Sequence, residues 1–252
     1  GNSKGDFYYS VPSGYLALCT DNLSAPLISA VEALDHFNTI LYTGNGGTQS
    51  ITGVGFQPDW VWIKARSTSQ NNYSIDSVRG IDNILAQNYA YAESYYDTTW
   101  RGLYGNVSAI NSNGFTVVDG TDPTYDSFNG STDTYASWNW KAGGAATSNG
   151  DGSITSSVSA NTTAGFSIVK YVANSATVAT VGHGLSQAPE LIIVKDRDSA
   201  YNWAVYSSAL TSADYALQLN NDLAQTNAYD YWNDTDPTAS VFTIGTDLGV
   251  ND

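Results

Sequence analysis

The chain has no methionine, a single cysteine, and only nine lysine and arginine residues among its 252. With one cysteine, Cys19, no intrachain disulfide can form, so cysteine usage gives no information on the redox compartment. Cys19 lies in an apolar run and is expected to be a buried small residue. Without an initiating methionine at position 1, we expect the sequence to be a piece of a longer protein.

Positive charge is scarce. Asp and Glu number 24, which gives a formal net charge of −15. Non-specific nucleic-acid binding requires Lys and Arg to neutralise phosphates, so this chain is not expected to bind DNA or RNA. No apolar run reaches the length of a membrane span and no signal peptide is visible, so membrane insertion is not expected either.

The most informative feature that is present is an internal repeat. The stretch GVGFQPDWVWIKAR at 53–66 recurs as GHGLSQAPELIIVKDR at 182–197. The glycines recur at an offset of 129 residues and the later positions at 131, as expected of a tandem duplication with small gaps. The repeated positions are Gly53, Gly55, Pro58, Lys64 and Arg66, and in the second copy Gly182, Gly184, Pro189, Lys195 and Arg197.

Each copy consists of short runs of aromatic and β-branched residues separated by turn residues, a pattern typical of antiparallel strands. We therefore predict an all-β fold of two tandem, similar antiparallel β-sandwich units, jelly-roll-like, with short helical insertions. Helical spacing occurs at 29–34 and from Ile81. The predicted divisions are an N-terminal arm at 1–35, a first repeat at 36–148 that includes a Gly/Ser-rich linker at 141–148, and a second repeat at 149–252.

The second repeat has no counterpart of the strand TYASWNW, which closes the first repeat at 134–140. Such a unit would have an open sheet edge with unpaired backbone groups. We expect either that the real chain continues beyond Asp252 or that another chain fills the edge, and we favour the first explanation.

These segments also carry a resemblance. FNTILYTGNGGTQSITGVGFQPDWVWIKAR, YASWNWKAGG and TAGFSIVKY resemble a repeated β-domain of uncharacterised function in tail, fibre and virion structural proteins of marine tailed phages. The segment GDFYYSVPSGYLALCTDNLSAP resembles the end of a SPRY-like, lectin-like domain. The resemblance implies a virion structural protein at a virion surface or outside the cell, which assembles with copies of itself and with neighbouring virion proteins.

Signatures of catalysis are few, and we predict no enzymatic activity. The two histidines are His36 and His183, and Val54 occupies the place of His183 in the first copy, which favours a structural role. Asp119, Asp122, Asp126 and Asp133 could bind Ca²⁺ or cap turns through their side chains; otherwise no cofactor is expected. Paired carboxylates leave a polysaccharide depolymerase as a weaker alternative.

Aromatic residues are abundant, with 18 Tyr and seven Trp. They could supply core and interface area, or they could form stacking platforms for a host-surface glycan. If a set is exposed for glycan binding, we predict the two less periodic insertions: Tyr89, Tyr91, Tyr95, Tyr96 and Trp100, with Tyr229, Tyr231 and Trp232. We expect the repeated Lys-x-Arg pairs to form ion pairs with acidic residues, each contributing about 0–1 kcal/mol at the surface.

Overall fold

The computed structural model describes residues 33–122 and 124–252. Strands account for 37% and helices for 9%, and all pairings between the strands named below are antiparallel. The prediction of an all-β fold is confirmed. Residues Asp35–Asp252 form one compact unit. The predicted arm, the helical spacing at 29–34 and Cys19 lie wholly or mostly outside the described residues, and the division at 148/149 stays a prediction.

The N-terminal half, residues 35–146, forms a β-sandwich. A five-stranded sheet of order β1-β8-β3-β4-β5 and a three-stranded sheet of order β2-β7-β6 share one hydrophobic core. Alternation in β3 places Val61 and Ile63 in that core, where they meet Phe115 from the opposite sheet. The strands are β1 Phe37–Thr43, β2 Thr48–Thr52, β3 Trp60–Ala65, β4 Asn72–Asp76, β5 Leu85–Ala86, β6 Asn106–Asn111, β7 Gly114–Val118 and β8 Thr134–Trp140.

The C-terminal half, residues 147–252, has its own core, which includes Val181, Trp232 and Ile244. Its sheets have the orders β11-β10-β9, β12-β17 and β13-β14-β15-β16. The strands are β9 Thr147–Asn149, β10 Ser156–Asn161, β11 Phe166–Tyr171, β12 Ala179–Gly182, β13 Leu191–Val194, β14 Ala204–Ser207, β15 Tyr215–Gln218, β16 Thr226–Asn227 and β17 Val241–Ile244.

Helices are short. They are α1 Thr98–Tyr104, α2 Tyr229–Trp232 and α3 Leu248–Asn251, with a 3₁₀ turn at Glu93–Tyr95. The Asp97 carboxylate accepts a hydrogen bond from the Trp100 N–H (2.8 Å), which caps the start of α1. The helical spacing from Ile81 is not realised as a helix, because this segment holds β5 and the 3₁₀ turn instead. Within the described ranges, no helix has the length and hydrophobicity of a membrane span.

Strand pairing recurs between the halves. The order β3-β4-β5 is repeated by β13-β14-β15, and the pair β2-β7 by β12-β17. Trp60 lies opposite Asp76 in the first half, and Leu191 lies opposite Ser207 in the second, so both partners are displaced by 131 residues. This equality of register is what a duplicated unit would have.

A pair of asparagines recurs with the same hydrogen bonds. In the first half, Asn88 accepts from the Asn72 N–H (3.0 Å) and donates to the Asn71 side chain (2.9 Å). In the second half, the Asn220 side chain accepts from the Trp203 N–H (2.9 Å) and donates to the Asn202 side chain (2.8 Å). Each pair joins the start of one strand, β4 or β14, to the loop that follows the neighbouring strand, β5 or β15.

The predicted linker at 141–148 is fixed to both halves. The Ala142 N–H donates to the buried Asp59 carboxylate (2.8 Å), and the Gly143 N–H donates to the Ser159 hydroxyl (2.9 Å). Strand β9 begins at Thr147. Neighbouring side chains thus satisfy backbone amides of this segment.

Candidate functional site

Three tyrosines form an exposed aromatic array in the loop between β5 and α1. Tyr89, Tyr91 and Tyr95 are 42%, 40% and 52% exposed. The ring centroids of Tyr89 and Tyr91 lie 5.1 Å apart with an interplanar angle of 19°, and those of Tyr91 and Tyr95 lie 4.3 Å apart at 16°. We call these three residues the tyrosine stack.

The tyrosine stack rests on a buried aromatic base. Tyr95 meets Tyr96 nearly perpendicularly at 5.1 Å, and Tyr96, only 2% exposed, meets Tyr73 at 5.9 Å and Trp100 at 4.8 Å. Edge-to-face contacts of this kind add about 0.5–1.5 kcal/mol each beyond area burial. The exposed rings are therefore continuous with the core of the N-terminal half.

Glu93 fixes the loop by a network of ion pairs. Its side chain is 10% exposed and its Oε1 lies 2.5 Å from Nη1 of Arg79, whose Nε lies 2.5 Å from Asp76. Its Oε2 accepts from Nε of Arg197 (2.8 Å), and its backbone N–H donates to the Arg197 carbonyl (2.8 Å). The loop is thereby joined to the C-terminal half.

Trp203 also holds the loop of the tyrosine stack, and we call its contacts and those of Glu93 the two clamps. The buried indole N–H of Trp203 donates to the Ala86 and Tyr89 carbonyls, both at 3.0 Å. Together with Glu93, this contact holds the loop on both sides of Tyr91, the central ring of the tyrosine stack. Rings held in place before binding lose less conformational entropy when a ligand arrives.

Comparison with known proteins identifies the family. The family described as "Domain of unknown function (DUF7483)" matches residues 32–252. The chain belongs to this family. A search of the curated proteins gives no match, and neither does a search of the solved structures.

The other residues predicted to bind glycan in this DUF7483 chain lie outside the tyrosine stack. Tyr96 and Trp100 belong to the aromatic base rather than to the surface. In the second insertion Tyr229 is 65% exposed, Tyr231 is half-buried with its hydroxyl 3.4 Å from Nε2 of Gln218, and Trp232 is buried in the core. The second insertion thus presents a single exposed ring, and the array forms only in the N-terminal half.

Burial determines the protonation of the aromatic base. It raises the pKa of Tyr96 well above the usual range, and the neighbouring Tyr73 and Tyr95 raise it further. Burial likewise raises the pKa of Tyr73. Both phenols stay neutral at physiological pH, so the base of the tyrosine stack carries no charge.

The four aspartates proposed for calcium lie around one loop region. The Asp119 carboxylate accepts from the Gly120 N–H (3.0 Å), and the Asp133 carboxylate from the Ser67 hydroxyl (2.8 Å). Burial and then Asp119, Asp133 and Asp122 raise the pKa of Asp126. In the described ranges no group of three or more His, Cys, Asp or Glu side chains is arranged to hold a metal ion. Calcium binding stays a prediction.

The two histidines have structural hydrogen bonds. Nε2 of buried His183 lies 3.1 Å from the Thr238 carbonyl, and Nδ1 accepts from the Leu185 N–H (3.1 Å). This arrangement is satisfied by the neutral ring protonated on Nε2. Val54, at the equivalent place, is also buried. Nδ1 of His36 lies 2.9 Å from the side-chain nitrogen of Asn161.

In the repeated Lys-x-Arg motif, the lysines make similar contacts in the two halves and the arginines do not. Nζ of Lys64 donates to the Gln70 carbonyl (2.5 Å), and Nζ of Lys195 to the Ser199 carbonyl (3.0 Å). Arg197 forms the ion pair with Glu93, whereas Arg66 is exposed. The lysines therefore bind backbone carbonyls rather than acidic side chains.

The glycines and prolines of the motif are also not equivalent. Gly55 and Gly184 share a positive φ, +93° and +72°, while Gly53 (φ +91°) has no positive-φ counterpart at Gly182, which ends β12. Pro58 is buried and Pro189 is half-buried.

Sequence reasoning missed Glu93 and Trp203. Glu93 lies between predicted tyrosines, but its partners are 14 and 104 residues away, and no local pattern indicates them. Sequence reasoning also did not decide whether the tryptophans on the outer face of the five-stranded sheet form an aromatic surface. There Trp60 and Trp140 stack at 4.4 Å, and Phe37 lies 4.9 Å from Trp140.

Proposed function

We propose that this chain is a non-enzymatic adhesion module that binds carbohydrate through the tyrosine stack. The observation that supports the proposal is the array of three exposed, near-parallel rings on a loop clamped by Glu93 and Trp203. Large exposed aromatic groups held rigidly above a core are typical of binding surfaces rather than of inert surface.

The geometry of the rings defines what a sugar would meet. The inner faces of the stack are occupied by neighbouring rings, so a ligand contacts ring edges, hydroxyl groups and the outer face of an end ring. Tyr95 is also covered by Tyr96, which leaves Tyr89 as the end ring without a second aromatic neighbour among the described residues. A sugar ring packed on Tyr89 would keep its hydroxyl groups within reach of the neighbouring phenols.

The charge of the chain narrows the ligand class. With a net charge of −15, the surface repels sulfated and uronic-acid polymers at moderate ionic strength. The loop has two carboxylates: Glu93 is engaged by two guanidinium groups, and Asp97 accepts the hydrogen bond that caps α1. The proposed ligand is therefore a neutral glycan, which is bound and not cleaved.

The second candidate function is that of a structural component on the virion surface of a tailed phage, assembled as a homo-oligomer. It is favoured by the sequence resemblance and by the outer sheet face, where Phe37 and Leu41 are exposed beside the Trp60–Trp140 stack. An apolar surface of this kind suits a contact with a copy of the chain or with a neighbouring virion protein. The two functions are compatible in one surface protein.

A glycan array followed by calorimetry on the best ligand tests the adhesion proposal. Tyr91→Ala removes the central ring, and we expect it to weaken binding by about tenfold or more, which corresponds to ~1.4 kcal/mol. Tyr125→Ala is the matched control, because Tyr125 is similarly exposed but contacts Tyr104 instead of the stack. Equal binding by the two variants, or no array signal above background for the unmodified chain, would reject the proposal.

A further inference from the structure

A groove of about 500 Å³ lies where the N-terminal half meets the start of the C-terminal half. Its volume is within the range of small-molecule sites, about 300–1,000 Å³. The N-terminal half supplies the residue before β1, the turn before β3 and the residues after β8, and the C-terminal half supplies the end of β10. The lining includes His36, Gln57, Asp59, Lys141, Asn161 and Thr162.

The walls of the groove are fixed by contacts between the halves. The Ser159 hydroxyl accepts from the Gly143 N–H (2.9 Å) and donates to the Gly144 carbonyl (2.7 Å). A Cβ on Gly143 would overlap the Ala160 carbonyl oxygen, so only glycine allows the two backbones to approach this closely. The groove is therefore formed before a ligand arrives, which lowers the cost of binding.

Asn161 determines which ring nitrogen of His36 carries the proton. The side-chain oxygen of Asn161 accepts from the Ala164 N–H (3.1 Å), and its side-chain nitrogen donates to the Lys141 carbonyl (3.0 Å). That nitrogen also lies 2.9 Å from Nδ1 of His36, so Nδ1 is the acceptor. The neutral ring consequently carries its proton on Nε2, which has no hydrogen-bond partner among the described residues.

Lys141 adds a positive charge to the same groove. The residue is half-buried, and its ammonium group makes no hydrogen bond or ion pair within the part of the chain that the structure describes. Lys64 and Lys195, by contrast, donate to backbone carbonyls. The groove thus has two side-chain donors that lack acceptors, which suits a ligand with an anionic oxygen group.

Asp59 limits the charge of that ligand. Its buried carboxylate lines the groove, and it accepts from the uncharged Ser77 hydroxyl (2.9 Å) and Ala142 N–H (2.8 Å). A ligand with two negative charges would be repelled by Asp59, with only Lys141 to compensate. A single carboxylate is therefore favoured over a phosphate dianion.

We propose that this groove binds a single acidic monosaccharide through its carboxylate, with Nζ of Lys141 and Nε2 of His36 as the donors. Gln57 and Thr162 line the same groove and supply an amide and a hydroxyl for the hydroxyl groups of the sugar. One carboxylate brings one charge, in contrast to the acidic polymers that the net charge of −15 repels. The inference is independent of the neutral-glycan binding proposed for the tyrosine stack.

Calorimetry of the full chain with glucuronate, glucose and glucose 6-phosphate tests the charge of the ligand. The three sugars are of similar size, and above neutral pH they carry one, no and about two negative charges. We expect glucuronate to bind one-to-one and each of the other two to bind about tenfold more weakly or not at all. Failure of glucuronate to bind, which would also result if residues 1–32 fill the groove, overturns the proposal. Equal or tighter binding of either other sugar overturns it too.

Lys141→Gln removes the proposed cation. We expect it to weaken glucuronate binding by about tenfold or more, the loss of one charge-assisted hydrogen bond. Lys170→Gln on β11 is the matched control, because it changes the net charge equally but does not line the groove. Equal weakening by the two variants would show that only the overall charge matters. Tyr91→Ala should leave the affinity for glucuronate unchanged, and a loss of binding would place the sugar at the tyrosine stack. Either result contradicts the inference.

Nitrogen-15 NMR of the histidine rings locates the ligand in the unmodified chain. We expect the Nε2 resonance of His36 to shift on saturation with glucuronate. The ring of His183, whose Nε2 bonds to the Thr238 carbonyl, should be unaffected. An unchanged His36 resonance at saturation would show that the sugar binds elsewhere and would refute the assignment.

Discussion

Replacement of Glu93 by glutamine tests whether its ion pairs hold the loop of the tyrosine stack. Glutamine has the same shape but no charge, and its amide N–H groups would face guanidinium donors. Glu93 is almost buried, between Arg79 and Arg197. The substitution therefore removes one charge-assisted contact in a buried setting and one that is partly in solvent.

The magnitude follows from the two contacts. A hydrogen bond between charged groups contributes about 1.5–3 kcal/mol, which applies to the buried pair with Arg79. Arg79 keeps Asp76 and the Asn83 carbonyl as partners, so it is not left as an isolated buried charge. The pair with Arg197 is more exposed and adds about 0–1 kcal/mol. The free energy of unfolding should fall by about 1.5–4 kcal/mol.

Thermal denaturation measures this change. For a unit of this size, 1 kcal/mol corresponds to roughly 2–4 °C, so Glu93→Gln should lower Tm by about 3–16 °C. Glu190→Gln is the matched control, since Glu190 is exposed and makes no side-chain hydrogen bond among the described residues. We expect it to change stability by less than about 0.5 kcal/mol. Equal Tm values for the two variants would refute the role assigned to Glu93.

Two further predictions concern titratable groups. Burial lowers the pKa of His183; the unfolded chain then binds more protons than the folded one, so stability should fall as the pH drops below about 6.5. His183→Val should reduce this loss in urea titrations at pH 7 and pH 5, and an unchanged pH dependence would contradict the assignment. Asp126→Asn should raise Tm at pH 7, because burial and then Asp119 and Asp133 disfavour the charged carboxyl group; a lower Tm would show that the carboxylate has a stabilising partner.

The class of fold could be predicted from the sequence because it depends on local patterns. Short aromatic and β-branched runs separated by turn residues indicated strands such as Trp60–Ala65, and the structure has them. The helix at Thr98–Tyr104 was harder to predict, because it begins at the Asp97 cap rather than within the apolar run from Ile81. The repeat spacing also indicated which strands correspond in the two halves.

The candidate site could be predicted only in part. The tyrosine-rich loop was identifiable by composition, but adjacent residues in it have opposite environments, with Tyr95 exposed and Tyr96 buried. Without alternation, no periodic rule separates them. The clamps depend on Arg197 and Trp203, more than 100 residues away from the groups they contact. The hydrogen bonds that hold the segment at 141–148 could not be predicted either, because their acceptors, such as Asp59, are distant in the sequence.

The indole of Trp203 has a mechanical consequence. Its N–H is shared between two carbonyls of the opposite half, so separating the halves would leave this buried donor without its partners. Under a tensile load along the chain, the two halves would then unfold together over one free-energy barrier rather than one after the other. Residues 35–252 should therefore yield as a single element.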